Sequence, residues 1–479
     1  MTHRERCRHE RGHITDSVLS GNSYATPASR AIFCDVCRFQ RWLDTEAALA
    51  LAQGELGIIP QDAARAIARH ANLESIATSD ILREAASSGH TLVGLLRALS
   101  AATGSRAGEY VHFGATTQDI QDTAQALEMR DVLDVAQPVL EQILLQLATL
   151  AKAEADTVSL GRTHAQPALP ITMGLKVAGW ADELLRQRER LLQLRQRSLV
   201  AQLFGGAGTM AGFGPHAEQL LQSFSDRLGL AAPATNWHTA RDRVSEYVCV
   251  LAMLCGSLAR MAEEIRMLTR PEFGELEEVW QEGLVCSSTM PHKRNPERAE
   301  RIIVLSRLAA AQVAPALQGM VNEHERDARS WRLEWAFVPD VSHYTLAALD
   351  TASHLIADLR VNAERARGNT EDVADQIMSE RFMLDLGRRI GKQQAYEIIY
   401  NLSQQAQRDG CRLRDLLDKR HDLYSATDLD ALGDPATYVG ASASLVHGVA
   451  ARVDSALAQR PPLVRPVQGP VRIQVHQGA

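Results

Sequence analysis

Along this chain, apolar residues recur at mostly three- to five-residue intervals in blocks much longer than an ordinary globular helix. Leu127, Val132, Val135, Val139, Ile143, Leu147 and Leu150 mark one block, which begins near Thr123. A second carries Val244, Tyr247, Val248, Leu251, Leu254, Leu258, Met261, Ile265 and Leu268, and a third spans residues 301–320. The period is that of an α-helix. Helices of about 30 residues with apolar side chains on more than one face predict a bundle buried by other helices or by other subunits. Pro138 is expected to kink its helix rather than end it. Upstream, RFQRWLDTEAALALAQGELG predicts a helix with Trp42, Leu43, Ala47, Leu49 and Leu51 on its apolar side and Gly54 and Gly57 closing it. Strand signals are few, the best being residues 199–204 ahead of a glycine cluster.

The pattern therefore predicts a mainly α chain of three domains: an N-terminal helical domain over residues 26–110, a long central bundle over 111–355 and a C-terminal helical domain over 356–459, where helices shorten. Residues 1–25 are expected to be a disordered extension, basic at its start but without the apolar segment of a secretory signal. The proline-rich residues 460–479 are expected to be a loose tail.

Composition changes this picture mainly by exclusion. Basic residues number 51 against 58 acidic ones, a net charge of −7, so nothing draws the chain generally to nucleic acid, and an anionic ligand must be met by a local cluster. No stretch reaches the ~20 apolar residues of a membrane span, and a cytoplasmic protein is expected, with neither membrane nor nucleic-acid partner. The seven scattered cysteines suit a reducing compartment. Cys34 and Cys37 form a CxxC with Cys7 and His9 upstream, but a zinc site needs four ligands and no second pair exists. They read as two helix cysteines, and neither metal nor cofactor is expected.

Three segments interrupt the helical period with small polar and charged residues: YVHFGATTQDIQDT (110–123), GRTHAQPALP (161–170) and CSSTMPHKRNPERAE (286–300). Singly, each has an ordinary explanation. Thr116 and Thr117 could cap the following helix with Asp119 in its first turn, His164 could be a loop histidine, and the third segment a polar surface loop. Yet Ser287, Ser288, Lys293 and Asn295 place two hydroxyls, a cation and an amide within nine residues. That inventory suits a carboxylate that gains charge in a transition state.

SSTMPHKRNP (287–296) resembles the signature loop of the fumarase/aspartase superfamily. GRTHAQP resembles its second conserved region and GATTQD its first, in the right order, and the likeness continues through AYEIIYNLSQQA and DPATYVG to cover about residues 30–455. The resemblance implies a three-domain subunit with a five-helix central bundle, a homotetramer with a twenty-helix core, and active sites drawing their three motifs from three subunits. It implies β-elimination from a substituted succinate, giving fumarate through an aci-carboxylate intermediate. Ser287 matches the base that takes the Cβ proton, and Lys293 and Asn295 match residues holding the carboxylate beside the acidic C–H. Thr163 and His164 match a threonine–histidine pair whose histidine binds substrate or acts as general acid toward the leaving group. Thr116, Thr117 and Gln118 match the holders of the other carboxylate; Gln166, Ser288 and Met290 complete the substrate-binding positions, and His90 matches a histidine of adenylosuccinate lyases.

Departures from the superfamily pattern narrow the substrate. Across HERDARSWRLEWAFVPD (324–340), adenylosuccinate lyases carry Ser, Ser and Arg for the nucleotide phosphate, whereas Trp335 stands here in place of that arginine. The Trp–x–x–Glu–Trp pattern and NWHTARDRVSEY (236–247) instead resemble 3-carboxy-cis,cis-muconate cycloisomerases. Those typically replace the Thr–His pair with a Trp-containing sequence, and this chain keeps Thr163 and His164. The combination resembles superfamily lyases acting on a small succinate without a nucleotide, such as those releasing nitrite and fumarate from nitrosuccinate in bacterial secondary metabolism. Nitrite leaves readily, so strong acid assistance is unnecessary. Arg241, Arg326, Arg329 and Arg332 are candidates to hold anionic oxygens, with helix-surface salt bridges the ordinary explanation for at least half of them. The alternatives are a cycloisomerase, then adenylosuccinate lyase, and outside catalysis a crystallin-like structural protein; intact Ser287, Lys293, Asn295, Thr163 and His164 argue against the last. FGGAGTMAGFG (204–214) misses the spacing of a dinucleotide loop and predicts a hairpin turn.

Overall fold

A computed structural model describes residues 12–279, 287 and 289–459. Helices α1 (Pro27–Phe33), α2 (Asp35–Glu55), α3 (Gln61–His70), α4 (Thr78–Ser88) and α5 (Val93–Thr103) form the N-terminal part. α6 (Thr117–Ala153) follows, then a hairpin of β1 (Val158–Thr163) and β2 (Gln166–Thr172), then α7 (Met173–Ser198), α8 (Ala217–Leu228) and α9 (Asp242–Leu268). After β3 (Leu276–Glu278) come α10 (Glu297–Ala311), α11 (Val313–Gln318), α12 (Ala328–Ala357) and β4 (Leu359–Val361). The chain ends in α13 (Ala363–Glu371), α14 (Ala374–Ile377), α15 (Ser379–Ile390), α16 (Lys392–Asp409), α17 (Leu413–Leu417), α18 (Ala426–Gly433) and α19 (Ser442–Ala458).

The fold is mainly helical, and its centre is a bundle of α6, α7, α9, α10 and α12 packed on one another. The apolar periods of the sequence largely become its interior: Leu127, Val132, Ile143 and Leu147 of α6 and Leu251, Leu254, Leu258 and Ile265 of α9 are buried, while Val135, Val139 and Leu150 are half-buried against that core. Pro138 lies within the 37 residues of α6 without ending it. The C-terminal helices build a second apolar cluster around Ile377, Phe382, Leu386, Leu417 and Leu429, to which β1 lends Leu160. α19 does not stay with them but returns to pack on α7 and α6.

Several details differ from the sequence expectation. The strand expected at 199–204 is reduced to an isolated bridge between Val200 and Ala231, while the well-formed hairpin lies in GRTHAQPALP. Residues 301–320 divide into α10 and α11 at Gln312, with Pro315 inside the second. The 204–214 segment is a glycine-rich loop leading into a 3-10 turn over Ala211–His216 rather than a hairpin. Of the expected extension, residues 12–25 are held in place: Arg30 Nε donates to the Thr15 carbonyl at 3.0 Å, and Thr15 and Ala25 are buried. Residues 1–11 and the proline-rich tail at 460–479 lie outside the described residues.

α12 meets α1 through His343, whose Nδ1 lies 2.8 Å from Ser29 Oγ while its ring packs edge-on against Phe33. Burial first, and then nearby Arg30, push its pKa down to about 4. A depressed folded value means the native state favours the neutral ring. Its contribution is full above pH 6.5 and is lost as pH falls through about 4. Urea unfolding between pH 7 and pH 4 should therefore show a loss on the order of 2–3 kcal/mol that His343→Gln removes; an identical pH profile for the variant would discount this histidine.

Candidate active site

The segment leading into α6 is fixed by buried polar contacts. His112, at φ +61°, places Nδ1 2.6 Å from Glu46 Oε1. Burial opposes its charge, but the Glu46 carboxylate prevails and holds the imidazole above its usual range. Gly114 sits at φ +74°, where a Cβ would come within 2.9 Å of the Phe213 ring, so the GATT motif requires glycine there. Asp119 is completely buried. Its carboxylate accepts from Thr116 N at 3.0 Å and from Phe204 N and Gly205 N at 2.9 Å, with His238 Nε2 at 3.0 Å. Arg326 closes the assembly, donating to Thr116 Oγ1 and to the Gly206 carbonyl, both at 2.8 Å. Its Nε is buried and has no hydrogen-bond partner among the described residues.

One turn into α6, every residue from Gln118 to Arg130 is buried. Asp122 and Glu334 there clasp Arg241, itself only 1 % exposed. Arg241 donates from Nε and Nη2 to Glu334 at 2.6 and 2.5 Å, from Nη1 and Nη2 to Asp122 at 2.7 and 3.1 Å, and from Nη1 to the Trp237 carbonyl at 3.1 Å. All five of its N–H groups are thereby engaged. Gln118 and Trp331 donate to Asp122 at 3.1 and 2.9 Å, and Gln125 to Glu334 at 2.7 Å. Arg241 and Gln118, expected at the substrate, are thus part of an internal network. Asp122 and Glu334 are residues that sequence reasoning missed; the readable signal was the polar run Gln118, Gln121/Asp122, Gln125 at helical spacing.

Thr116 and Thr117 remain partly exposed at this end. His90 is exposed, and its Nδ1 accepts from Leu92 N at 3.3 Å and Val93 N at 3.4 Å, capping α5. Arg332 is exposed. Arg329 pairs with Asp327 at 2.6 Å and Glu323 at 3.0 Å, and holds Asp327 well below the usual carboxylate range. Next to this end a cavity of about 300 Å³ opens between α2, α4, α6 and α12, lined by Phe39, Trp42, Leu82, Gln121 and Trp335 among others. Trp331, one turn before Trp335, is turned into the Asp122 network. Arg38, also in the lining, is held bidentately by Glu128 at 2.8 and 3.2 Å.

The other two motifs occupy the opposite end of the bundle. Thr163 pairs with Gln166 across a two-residue turn in which both His164 (φ +49°) and Ala165 (φ +63°) are left-handed. Such a turn prefers Asn-Gly, and non-glycine residues there cost on the order of 1 kcal/mol each. Thr163, His164 and Gln166 are all exposed. The hairpin is tied down by Arg162, whose Nη2 donates to Glu275 at 2.5 Å.

In the third segment, Ser287 is partly buried and its Oγ accepts from Met290 N at 3.0 Å and Thr289 N at 3.4 Å. Two donors on one hydroxyl oxygen favour negative charge there. Met290 and Lys293 are exposed, and Asn295 Nδ2 donates to Glu297 at 3.2 Å. Arg294 pairs with Glu277 of β3 at 3.2 Å. Ser288 lies outside the described residues.

α9 measures the separation of the two ends. Arg241 immediately precedes it, and Glu275 N bonds to Leu268 O at its far terminus, 3.0 Å away. Its 27 residues span about 40 Å, so Arg162 and the adjoining Thr163 and His164 stand roughly 30–40 Å from the α6 start. One chain brings the second and third motifs to one end and keeps the first at the other.

A lyase family model matches residues 22–314, a span that holds all three motifs, and an adenylosuccinate lyase C-terminus model matches residues 375–449. The chain belongs to the fumarase/aspartase lyase superfamily. It is 38 % identical over 441 residues to N-acetyl-S-(2-succino)cysteine lyase of Dickeya dadantii, covering 91 % of this chain and 97 % of the relative. It is also 38 % identical over 432 residues to adenylosuccinate lyase of Methanothermobacter thermautotrophicus, covering 89 % and 96 %. The crystal structure of fumarate lyase from Mesorhizobium sp. BNC1 superposes with a TM-score of 0.84 at 33 % identity, over 90 % of this chain and 99 % of that one. The protein is accordingly a lyase.

Proposed function

We propose that this lyase removes a β-leaving group from a compact substituted succinate and releases fumarate, with Ser287 as general base. The observation that carries the proposal is the Ser287 hydroxyl, whose oxygen accepts two backbone N–H groups in the same loop as Lys293 and Asn295. Ser287 Oγ takes the Cβ proton. Lys293 and Asn295 hold the adjacent carboxylate as charge builds on it, the largest stabilisation expected in such a step. His164 binds the substrate or protonates the leaving group. Thr116 and Thr117, with Arg326 beside them, hold the second carboxylate.

Since these groups lie at opposite ends of one chain, the proposal includes a homotetramer whose sites combine ends from different subunits. Exposed apolar side chains on the bundle helices support it: Leu145, Met253, Val304 and Leu333 are each 42–52 % exposed, surface that neighbouring helices would cover.

The leaving group in this proposal carries no phosphate. Trp335 lines the cavity where the resemblance puts a phosphate-binding arginine, and Arg38 there is already paired with Glu128. Nitrosuccinate, giving nitrite, is the first candidate. The Dickeya relative supports a second, thioether cleavage of N-acetyl-S-(2-succino)cysteine. The test is fumarate formation, read by absorbance, from nitrosuccinate, N-acetyl-S-(2-succino)cysteine, aspartate, adenylosuccinate and 3-carboxy-cis,cis-muconate, with calorimetry for AMP. We expect turnover of one of the first two and no AMP heat, because a phosphate without its partners forgoes ~1.5–3 kcal/mol per charge-assisted hydrogen bond. Adenylosuccinate turnover or tight AMP binding would overturn the compact-substrate reading; muconate turnover alone would replace elimination by cycloisomerisation.

A further inference from the structure

The first turn of α2 brings two thiols together. Cys34 caps the helix with an extended backbone, φ −68° and ψ 148°, and its Sγ accepts the Cys37 N–H at 3.3 Å. Cys34 is exposed and Cys37 partly buried. The other described cysteines lie elsewhere: Cys249 and Cys255 within α9, and Cys411 in the turn after α16. The CxxC pair, read in the sequence as two helix cysteines, thus falls at a helix start, a setting in which such a pair does redox chemistry. Burial, and then the Cys34 side chain, push the Cys37 thiol up to about 11, so Cys37 stays a thiol at neutral pH.

We propose that Cys34 and Cys37 form a redox-active dithiol that closes to an intramolecular disulfide on reaction with a hydroperoxide. Cys34 is the attacking sulfur, because it is exposed and its developing charge meets the Cys37 N–H. As thiolate it attacks one peroxide oxygen. The O–O bond breaks, the departing hydroxide takes from solvent the equivalent of the proton that Cys34 released and leaves as water, and Cys34 becomes a sulfenic acid. Cys37 sulfur then attacks Cys34 sulfur; the S–S bond forms, the S–O bond breaks, and the hydroxide takes the Cys37 proton and leaves as a second water. Two thiols are oxidised by two electrons, and one hydrogen peroxide is reduced to two waters. The turn that becomes linked includes Asp35 and is followed directly by Arg38, both of which line the 300 Å³ cavity, and Arg38 grips Glu128 of α6. The site does not rest on the lyase reading.

Trypsin cleavage after Arg30 and Arg38 leaves both cysteines in one peptide, AIFCDVCR. The full chain would be treated with a tenfold excess of hydrogen peroxide, blocked with iodoacetamide, digested and weighed. We expect more than half of this peptide unalkylated and lighter than the dithiol form by two hydrogens, returning to the dialkylated form after dithiothreitol. In Cys37→Ser, dimedone should label Cys34 at least fivefold more than Cys411, which is also exposed. Full alkylation of both cysteines after peroxide, linkage between two chains, or dimedone labelling of Cys34 no higher than of Cys411 would each overturn the proposal.

Discussion

Replacing Ser287 by alanine is expected to lower kcat for fumarate release by at least ~10³, the upper part of the range for removing a positioned proton-transfer group. The fold should tolerate the change. The hydroxyl is partly exposed and its oxygen accepts the Thr289 and Met290 amides, which water can satisfy once it is gone. Unchanged circular dichroism and assembly would therefore accompany the loss. A base role also predicts that exchange of the substrate Cβ hydrogen with deuterated water stops in the variant, which a merely structural serine would not require. Retention of more than a tenth of the activity would remove Ser287 as base and turn attention to Ser288. The same variant tests the composite site. Mixed with Arg326→Ala chains, damaged at the opposite bundle end, it should recover up to about a quarter of wild-type activity, since a site that takes Ser287 and Arg326 from different chains escapes both lesions about one time in four. No recovery after confirmed subunit exchange would put each site within one chain.

How far the sequence could anticipate this structure depended on whether the information was local. The long helices were readable because burial on a bundle imposes a period that Leu127 to Leu150 and Val244 to Leu268 display directly. The β1–β2 hairpin was not. GRTHAQPALP holds two prolines, lacks alternation and has no glycine in its turn, so the left-handed conformations of His164 and Ala165 are imposed by the surrounding structure. The chemistry proposed for the site rests on motifs, since Ser287, Lys293 and Asn295 lie within one loop. Its internal support was not readable: Asp122 and Arg241 are 119 positions apart, and Arg241 and Glu334 a further 93. A helix face carrying Gln118, Asp122 and Gln125 looks solvated until its distant partners are known. The arginines sort themselves for the same reason. Sequence offers four alike, whereas the structure buries Arg241, pairs Arg329 on the surface, exposes Arg332 and leaves Arg326 against Thr116.

Arg241→Ala should then cost folding rather than binding. The side chain is 1 % exposed and all its donors serve Asp122, Glu334 and the Trp237 carbonyl, with the Trp237 ring 4.7 Å from its guanidinium carbon. Removing one partner of a buried ionic cluster typically costs about 3–5 kcal/mol, because charges remain buried without compensation. Here two carboxylates would be left together, with only neutral donors from Gln118, Gln125, Gln202 and Trp331. Burial already raises the Glu334 pKa, and Asp122 adds to that rise while Arg241 opposes it. Without the arginine, one carboxyl should hold a proton well above its usual range. A raised folded pKa gives stability that is full below the unfolded value and lost as pH rises through the folded one. The variant's deficit in urea unfolding should therefore shrink between pH 8 and pH 5. Glu334→Gln, which keeps the volume and leaves Arg241 balanced by Asp122, should cost clearly less. If Arg241→Ala instead unfolds like the wild type and raises KM for the succinate substrate tenfold, the guanidinium reaches substrate in the working enzyme, and the network it makes here is not its role.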